Sequence, residues 1–202
     1  MLRQRKIFVR KFFGSKDFYF EKSSCSGPNM TLPFTIPTLQ TARLALRAPR
    51  EDDFAAMLAF NNSPRSAFIA NGADDHAVWR GLLSNIGHWA LRGHGFYSVD
   101  THAGDFIGRV GVIKHHTWPE PELAWQLFDG FEGHGYASEA AIAARADAYD
   151  RLQMPPMVSY VDPANTRSAA MAQKIGARVE LETTMWDHPV HIYRHPAPES
   201  AS

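Results

Sequence analysis

Residues 128–141 read "FDGFEGHGYASEAA". A mostly apolar run, "ELAWQLF" (122–128), leads in, and an alanine-rich run leads out. Gly130, Gly133 and Gly135 lie between them, with no proline. A strand-to-helix turn stripped of side chains is an anion site in form. Free N–H groups at the helix start point outward, the helix dipole is positive there, and missing Cβ atoms allow close approach. A nucleotide-binding loop needs Gly-Lys-Ser/Thr after its glycines, and here Tyr136 follows Gly135. A dinucleotide loop needs a third glycine where Ser138 stands, and an acidic residue closing the next strand before Asp162. Both patterns fail. A tight turn whose glycines only shape the backbone remains as the structural alternative.

Working outward, "TARLALRAP" (41–49) alternates, with Leu44 and Leu46 on one side, so it reads as a half-buried strand. "REDDFAAMLAFNN" (50–62) opens on acidic residues and spaces Phe54, Met57 and Leu58 as a helix. Residues 74–92 carry Val78, Leu82, Ile86 and Trp89 at helical spacing, with Asp74 and Asp75 as caps and Gly81 and Gly87 as weak points. Residues 95–116 read as a hairpin around "THAG", and 118–128 as a third strand. In the helix 136–152, Ala137, Ala140, Ala141, Ala144 and Ala148 form one face, small enough to lie close on a sheet. A strand (156–162), a helix (165–176, ended by Gly176) and a last strand (191–195) follow. The order β-α-α-β-β-β-α-β-α-β is mixed, with one βαβ unit at 122–161.

The chain of 202 residues suits one domain with a real core. Its formal net charge is zero, which gives no global pull toward nucleic acid. The single cysteine, Cys25, builds neither a disulfide framework nor a zinc site and fits a reducing cytoplasm. No apolar run reaches the ~20 residues that a membrane helix needs. Residues 1–29 are basic and phenylalanine-rich without the apolar core of a secretory signal. They read as an extension outside the folded unit, with a targeting presequence or a basic surface anchor as alternatives. The domain is expected over 30–202, since Met30 stands just before the globular pattern.

Three segments in order carry a resemblance: "TARLALRAPREDD", "PELAWQLFDGFEGHGYASEAA" and "VDPANTRSAAMAQKIGA". Together they are similar to the GNAT acyltransferases, and to the branch holding the ribosomal-protein alanine N-acetyltransferases, over roughly residues 38–195. The family's pyrophosphate loop often begins with Gln or Arg where this chain has Gly130, and phenylalanine is common where Ala177 stands. The resemblance implies an α/β fold with a mixed, mostly antiparallel sheet flanked by helices and splayed where coenzyme A enters. It implies acetyl-CoA as acyl donor. The pantetheine would pair with the backbone of Leu127 and Phe128 as an added strand. The diphosphate would meet the N–H groups of Gly133, His134, Gly135, Tyr136 and Ala137.

Acyl transfer from a thioester to an amine needs a neutral amine, a stabilised oxyanion and a protonated leaving thiolate. In many members of that family a tyrosine on the last helix protonates the thiolate; "SAAMAQKIGA" holds none, and the resemblance implies that Ser168, the serine of Asn-x-x-Ser, serves as acid or thioester contact. Its alternative is a first-turn residue bonded to local backbone. Asn165 is a helix N-cap, a pantetheine contact, or both. Tyr136 and Tyr160 are second choices as acids. Glu122 opens the cofactor strand and is the candidate base, against a solvated strand-end charge. His115 and His116 face opposite ways on a strand, and His191 and His195 stand too far apart to grip one ion, so no metal is expected. The expected activity is acetyl transfer to a primary amine, such as a protein N-terminus or a small amine, by direct attack in a ternary complex. The expected state is monomer or homodimer, with no nucleic-acid or membrane partner. A non-catalytic acyl-CoA-binding module of the same fold and an enzyme for longer acyl chains are the rivals. Residues 50–95 carry no motif that names the acceptor.

Overall fold

Leu44 and Leu46 are fully buried, as their alternation requires, and each such leucine contributes about 2 kcal/mol. Their strand belongs to one sheet in a computed structural model that describes residues 34–69, 74–185 and 187–197. The expected boundary between residues 29 and 30 lies outside the described residues. The strands are β1 (Leu39–Gln40), β2 (Leu44–Arg47), β3 (Phe96–Thr101), β4 (Phe106–Ile113), β5 (Glu122–Leu127), β6 (Val158–Val161), β7 (Arg178–Met185) and β8 (His188–Arg194). They lie in the order β1-β2-β3-β4-β5-β6-β8-β7. Every neighbouring pair is antiparallel except β5 and β6, the parallel pair of the βαβ unit. The sheet is thus mixed and mostly antiparallel, as expected.

The helices are α1 (Phe54–Asn61), α2 (Asp75–Arg92), α3 (Tyr136–Leu152) and α4 (Thr166–Lys174). Successive residues of β3 show where they lie, because side chains on a strand alternate between faces. Tyr97 donates to Asp147 of α3, while Ser98 donates to Asp53, which directly precedes α1. On the α3 face, Ala140, Ala141, Ala144 and Ala148 are buried against Leu123, Val110 and Leu44 in one cluster. Their size lets the helix sit close on the strands. On the other face, Met57 and Phe60 of α1 and Val78 and Leu82 of α2 pack with Phe128. Arg47 ties the edge of that face together, bonding Asp53 at 2.7 Å and Asp100 at 2.6 Å.

Some expectations need correction. Residues 50–62 begin as a 3-10 turn (Glu51–Asp53) before the α-helix. β7, an eight-residue strand, was not expected from its sequence. It is a sheet edge, and Val179 and Leu181 are exposed on it, so it shows no buried alternation. β1 and a 3-10 turn at Pro64–Phe68 were likewise unexpected, being too short to set a period. The last strand begins at His188 rather than 191.

Candidate active site

β5 and β6 touch as a ladder at one pair only, Glu122 with Val158. Beyond that pair the two strands part. The Val158 N–H reaches Pro121 C=O at 3.1 Å, and a regular parallel ladder would next carry the Tyr160 N–H to Leu123 C=O. Side chains take those places instead. The Tyr160 N–H goes to Glu122 Oε1 at 3.4 Å, and Leu123 C=O accepts from Ser159 Oγ at 2.5 Å. The fork opens a cleft of about 810 Å³, lined among others by Glu122, Trp125, Tyr160, Asn165 and Ser168.

The register fixes which β5 groups face this cleft. Along an antiparallel strand, the backbone groups of alternate residues point to the same neighbour. The Phe128 N–H is spent on Ile107 C=O at 2.9 Å, in line with the β4–β5 pairing of Leu127 with Gly108. Glu122, Ala124, Gln126 and Phe128 therefore aim their backbone groups at β4, and Leu123, Trp125 and Leu127 aim theirs at the fork. This corrects the expectation for Phe128. Its N–H is occupied, its C=O accepts from Phe131, and its ring is buried with Phe60 and Phe106. Leu127 has the right parity, with its C=O already held by Arg65 Nε at 3.1 Å. Trp125, not singled out from the sequence, has the same parity.

Past β5 the chain makes the glycine turn. Gly130, Gly133 and Gly135 all take positive φ, at 87°, 78° and 80°. A side chain there is strained whatever the space around it. Gly135 is the N-cap of α3, and the N–H groups of residues 133–137 donate to no backbone carbonyl among the described residues. Two cations converge on this turn. Arg43 Nη2 and Lys174 Nζ lie 3.6 and 3.8 Å from the position a Cβ on Gly135 would take. Arg43 also lies over the Tyr136 ring at 4.8 Å and pairs with Glu139 at 2.6 Å, which cancels the acidic charge in the first turn of α3. His134 stacks on Tyr136. From the far side Arg65 grips Asp129 at 3.2 Å and also Glu132, pinning the loop's entrance. Neither Arg43, Arg65 nor Lys174 was singled out from the sequence. Each is remote in the chain from the glycines, and only the fold brings them together.

Glu122 is 8 % exposed. Burial pushes its carboxyl up to about 8, against the pull of the Tyr160 N–H. The solvated strand-end alternative therefore fails. What replaces it is a desolvated carboxyl at the fork that also caps a backbone N–H. Asn165 is the N-cap of α4, its Oδ1 accepting from the Ser168 N–H at 3.2 Å. It lines the cleft as well, so capping and ligand contact are compatible. Ser168, one helical turn on, is half-buried on the same cleft. Tyr160 lines it too, packed edge-on against Trp118, and burial raises its phenol. Tyr136 sits at the glycine turn instead. The structure thus brings Glu122, Asn165 and Ser168 to one cavity, and Gly133, His134, Gly135, Tyr136 and Ala137 to the helix start beyond β5. His191 lies 3.8 Å from Glu182, while His195 is fully buried on Ser159.

Comparison with known proteins shows the family and the fold. The acetyltransferase (GNAT) domain family matches residues 43–178. An acetyltransferase from Agrobacterium tumefaciens is 39% identical, with a TM-score of 0.76, covering 82% of this chain and 98% of its own. The uncharacterized protein YkkB of Bacillus subtilis is 27% identical over 165 residues, 77% of this chain and 93% of its own. A Salmonella typhimurium acetyl transferase that modifies the N-terminal serine of a 50S ribosomal subunit protein shares the fold. It has a TM-score of 0.67 at 16% identity, covering 77% of this chain and 95% of its own.

Proposed function

Since the chain belongs to the GNAT acetyltransferase family, we propose that it moves an acetyl group from acetyl-CoA to a primary amine by direct attack in a ternary complex. One observation carries the reading: a forked sheet whose cleft holds a buried carboxyl on one strand and a helix-borne hydroxyl across from it, with a cationic glycine turn beyond. The fork leaves the edge of β5 at Trp125 and Leu127 for the pantetheine. The helix start at 133–137, with Arg43 and Lys174 beside it, suits the diphosphate. The amine enters near Glu122, which takes its proton as the nitrogen attacks the thioester carbon. The C–N bond forms, the C–S bond breaks, and the sulfur leaves as thiolate. A serine hydroxyl is a weaker acid than a thiol. Ser168 therefore stabilises the departing sulfur by donating a hydrogen bond, and yields its proton only as solvent restores one. Glu122 returns its proton to solvent, and the sum is thioester plus amine giving amide plus thiol. Cys25 lies outside the described residues, and the reading needs no covalent intermediate. No described helix is long and apolar enough to cross a membrane.

The test is thiol release from acetyl-CoA across a panel of amines, with acetyl-CoA binding followed by calorimetry. Amine-dependent release is expected. Tight binding with no release for any amine, protein N-termini included, would overturn the reading in favour of a non-catalytic acyl-CoA-binding module.

A further inference from the structure

Arg109 on β4 stands directly opposite Gln126 on β5. Its Nε and Nη2 both donate to the single acceptor Gln126 Oε1, and its guanidinium lies 5.2 Å from the centre of the Phe96 ring. No carboxylate among the described residues forms an ion pair with it. Asp53, whose field reaches it, spends its oxygens on Arg47, Ser98 and the Arg50 N–H. The other arginines of this face and of the glycine turn, Arg47, Arg43 and Arg65, are all paired with acids. Arg109 is half-buried; a guanidinium partly withdrawn from water without a counter-charge is costly, and such a group is a candidate site for a ligand that brings the missing charge.

Arg109 and Gln126, with Asn61, are the polar residues lining a second pocket, of about 210 Å³. Met57, Phe60 and Val78 supply its apolar wall, and no acidic residue among the described residues lines it. Ile69 and Gln126 line both this pocket and the forked cleft, so the two adjoin. Gln126 and Glu122 are on the same face of β5, about 13 Å apart along the strand. Ala124, with a small side chain, is the one residue on that face between them.

We propose that this second pocket receives an anionic group of the acceptor, a carboxylate, on Arg109, so that the preferred amines carry a carboxylate remote from the reacting nitrogen. The inference rests on the acetyl-transfer reading above. The spacing excludes free α-amino acids from bridging both ends, because their amine and carboxylate share one carbon. It suits ω-amino acids and peptides whose carboxylate lies well away from their amine. The apolar wall opposite Arg109 accommodates the methylenes between.

The experiment compares ε-aminocaproate with its neutral amide as acceptors, in the parent and in Arg109→Met and Arg109→Lys. A charge-assisted hydrogen bond is worth at least about tenfold in affinity. The parent is expected to favour the carboxylate over the amide by about that factor in kcat/KM. Arg109→Met should bring the ratio to within about twofold of one, and Arg109→Lys should keep part of it. Each ratio is taken on a single preparation, so any loss of folded protein cancels. A parent ratio near one, or a ratio unchanged in Arg109→Met, overturns the proposal. If acetyl-CoA binds but neither amine releases thiol, the transfer reading is decided separately by the wider amine panel. The subsite is then decided by calorimetry of ε-aminocaproate against the parent and Arg109→Met. A tenfold weaker fit in the variant supports the subsite, and no binding to the parent refutes it.

Discussion

Replacing Glu122 with glutamine separates its two duties. Glutamine keeps the shape and an oxygen for the Tyr160 N–H but cannot ionise. In the folded protein the Glu122 carboxyl titrates near 8, against an ordinary value of 4.5, because it is buried at the fork. The folded state thus holds this proton more tightly than the unfolded chain does. Its contribution to stability is fully present below about 4.5 and is lost as pH rises toward 8. Within that window each pH unit removes about 1.4 kcal/mol, so the parent loses about 2 kcal/mol between pH 6 and 8 through this one group. Glu122→Gln escapes the loss. The difference in unfolding free energy between variant and parent should therefore widen in the variant's favour by about 2 kcal/mol from pH 6 to 8. Other titrating groups cancel in the difference. Turnover should move the opposite way: the parent rate rises with pH through an inflection near 8, while the variant is slower and its profile lies at higher pH, following the amine's own ionisation. Urea unfolding at several pH values, paired with thiol-release rates, reads both. A stability difference flat across the window, or a rate inflection near 8 that persists in Glu122→Gln, refutes the assignment.

Ser168→Ala is expected to lower kcat by about 10²-fold, the low end for losing one hydrogen-bond donor to a developing anion, with acetyl-CoA affinity by calorimetry little changed. A fall in affinity with kcat preserved would instead make Ser168 a binding contact. Changing Gly133 and Gly135 together to valine should weaken acetyl-CoA binding at least about tenfold, near 1.4 kcal/mol, with the circular dichroism spectrum intact. The positive φ of both residues makes the turn distort before any ligand arrives. Lys174→Gln should weaken acetyl-CoA binding about threefold at low salt and flatten its salt dependence, as befits an exposed cation beside the proposed diphosphate site. Affinity that is equally salt-sensitive in parent and variant would place Lys174 outside the site.

The parts of this site legible in the sequence are those whose chemistry is local. A helix start bare of side chains is written in consecutive residues, as is the alanine face that lets α3 lie close to the sheet. Asn165 and Ser168 are one turn apart, so their shared cleft follows from spacing alone. The pairing side of β5 was not legible, because parity is set by the register against β4. That is how Phe128, adjacent to Leu127 and equally apolar, was misread as a ligand contact when it is a core residue. β7 escaped because an edge strand has no buried face to impose a period. Arg43, Arg65 and Lys174 escaped because surface cations carry no local mark, and only the fold directs them to one turn. Glu122 was legible as a charge at a strand end. Its burial comes from the arrival of β6, which no local pattern records.

The fork itself has a physical requirement. Strands that part leave backbone groups without ladder partners, and buried groups of this kind must be satisfied by something else. Here Ser159 and Glu122 supply the replacements, and they differ in how they respond to pH. Arg145 can only donate, so its 3.3 Å contact with His195 Nδ1 leaves that nitrogen bare and puts the imidazole proton on Nε2. Nε2 then donates to Ser159 Oγ at 2.9 Å, and Ser159 donates to Leu123 C=O. Every group in this chain of bonds has one role. Burial and the neighbouring Arg145 and Arg194 push His195 down to about 4, so the chain keeps its protons where they are across neutral pH. The strut at Leu123 is therefore indifferent to pH, whereas the one at Glu122 is not. Burial also lowers His115 on the cleft wall. The fork's geometry can stay fixed while Glu122 gains and loses a proton, and a base that must cycle at a constant distance from its substrate needs such a frame.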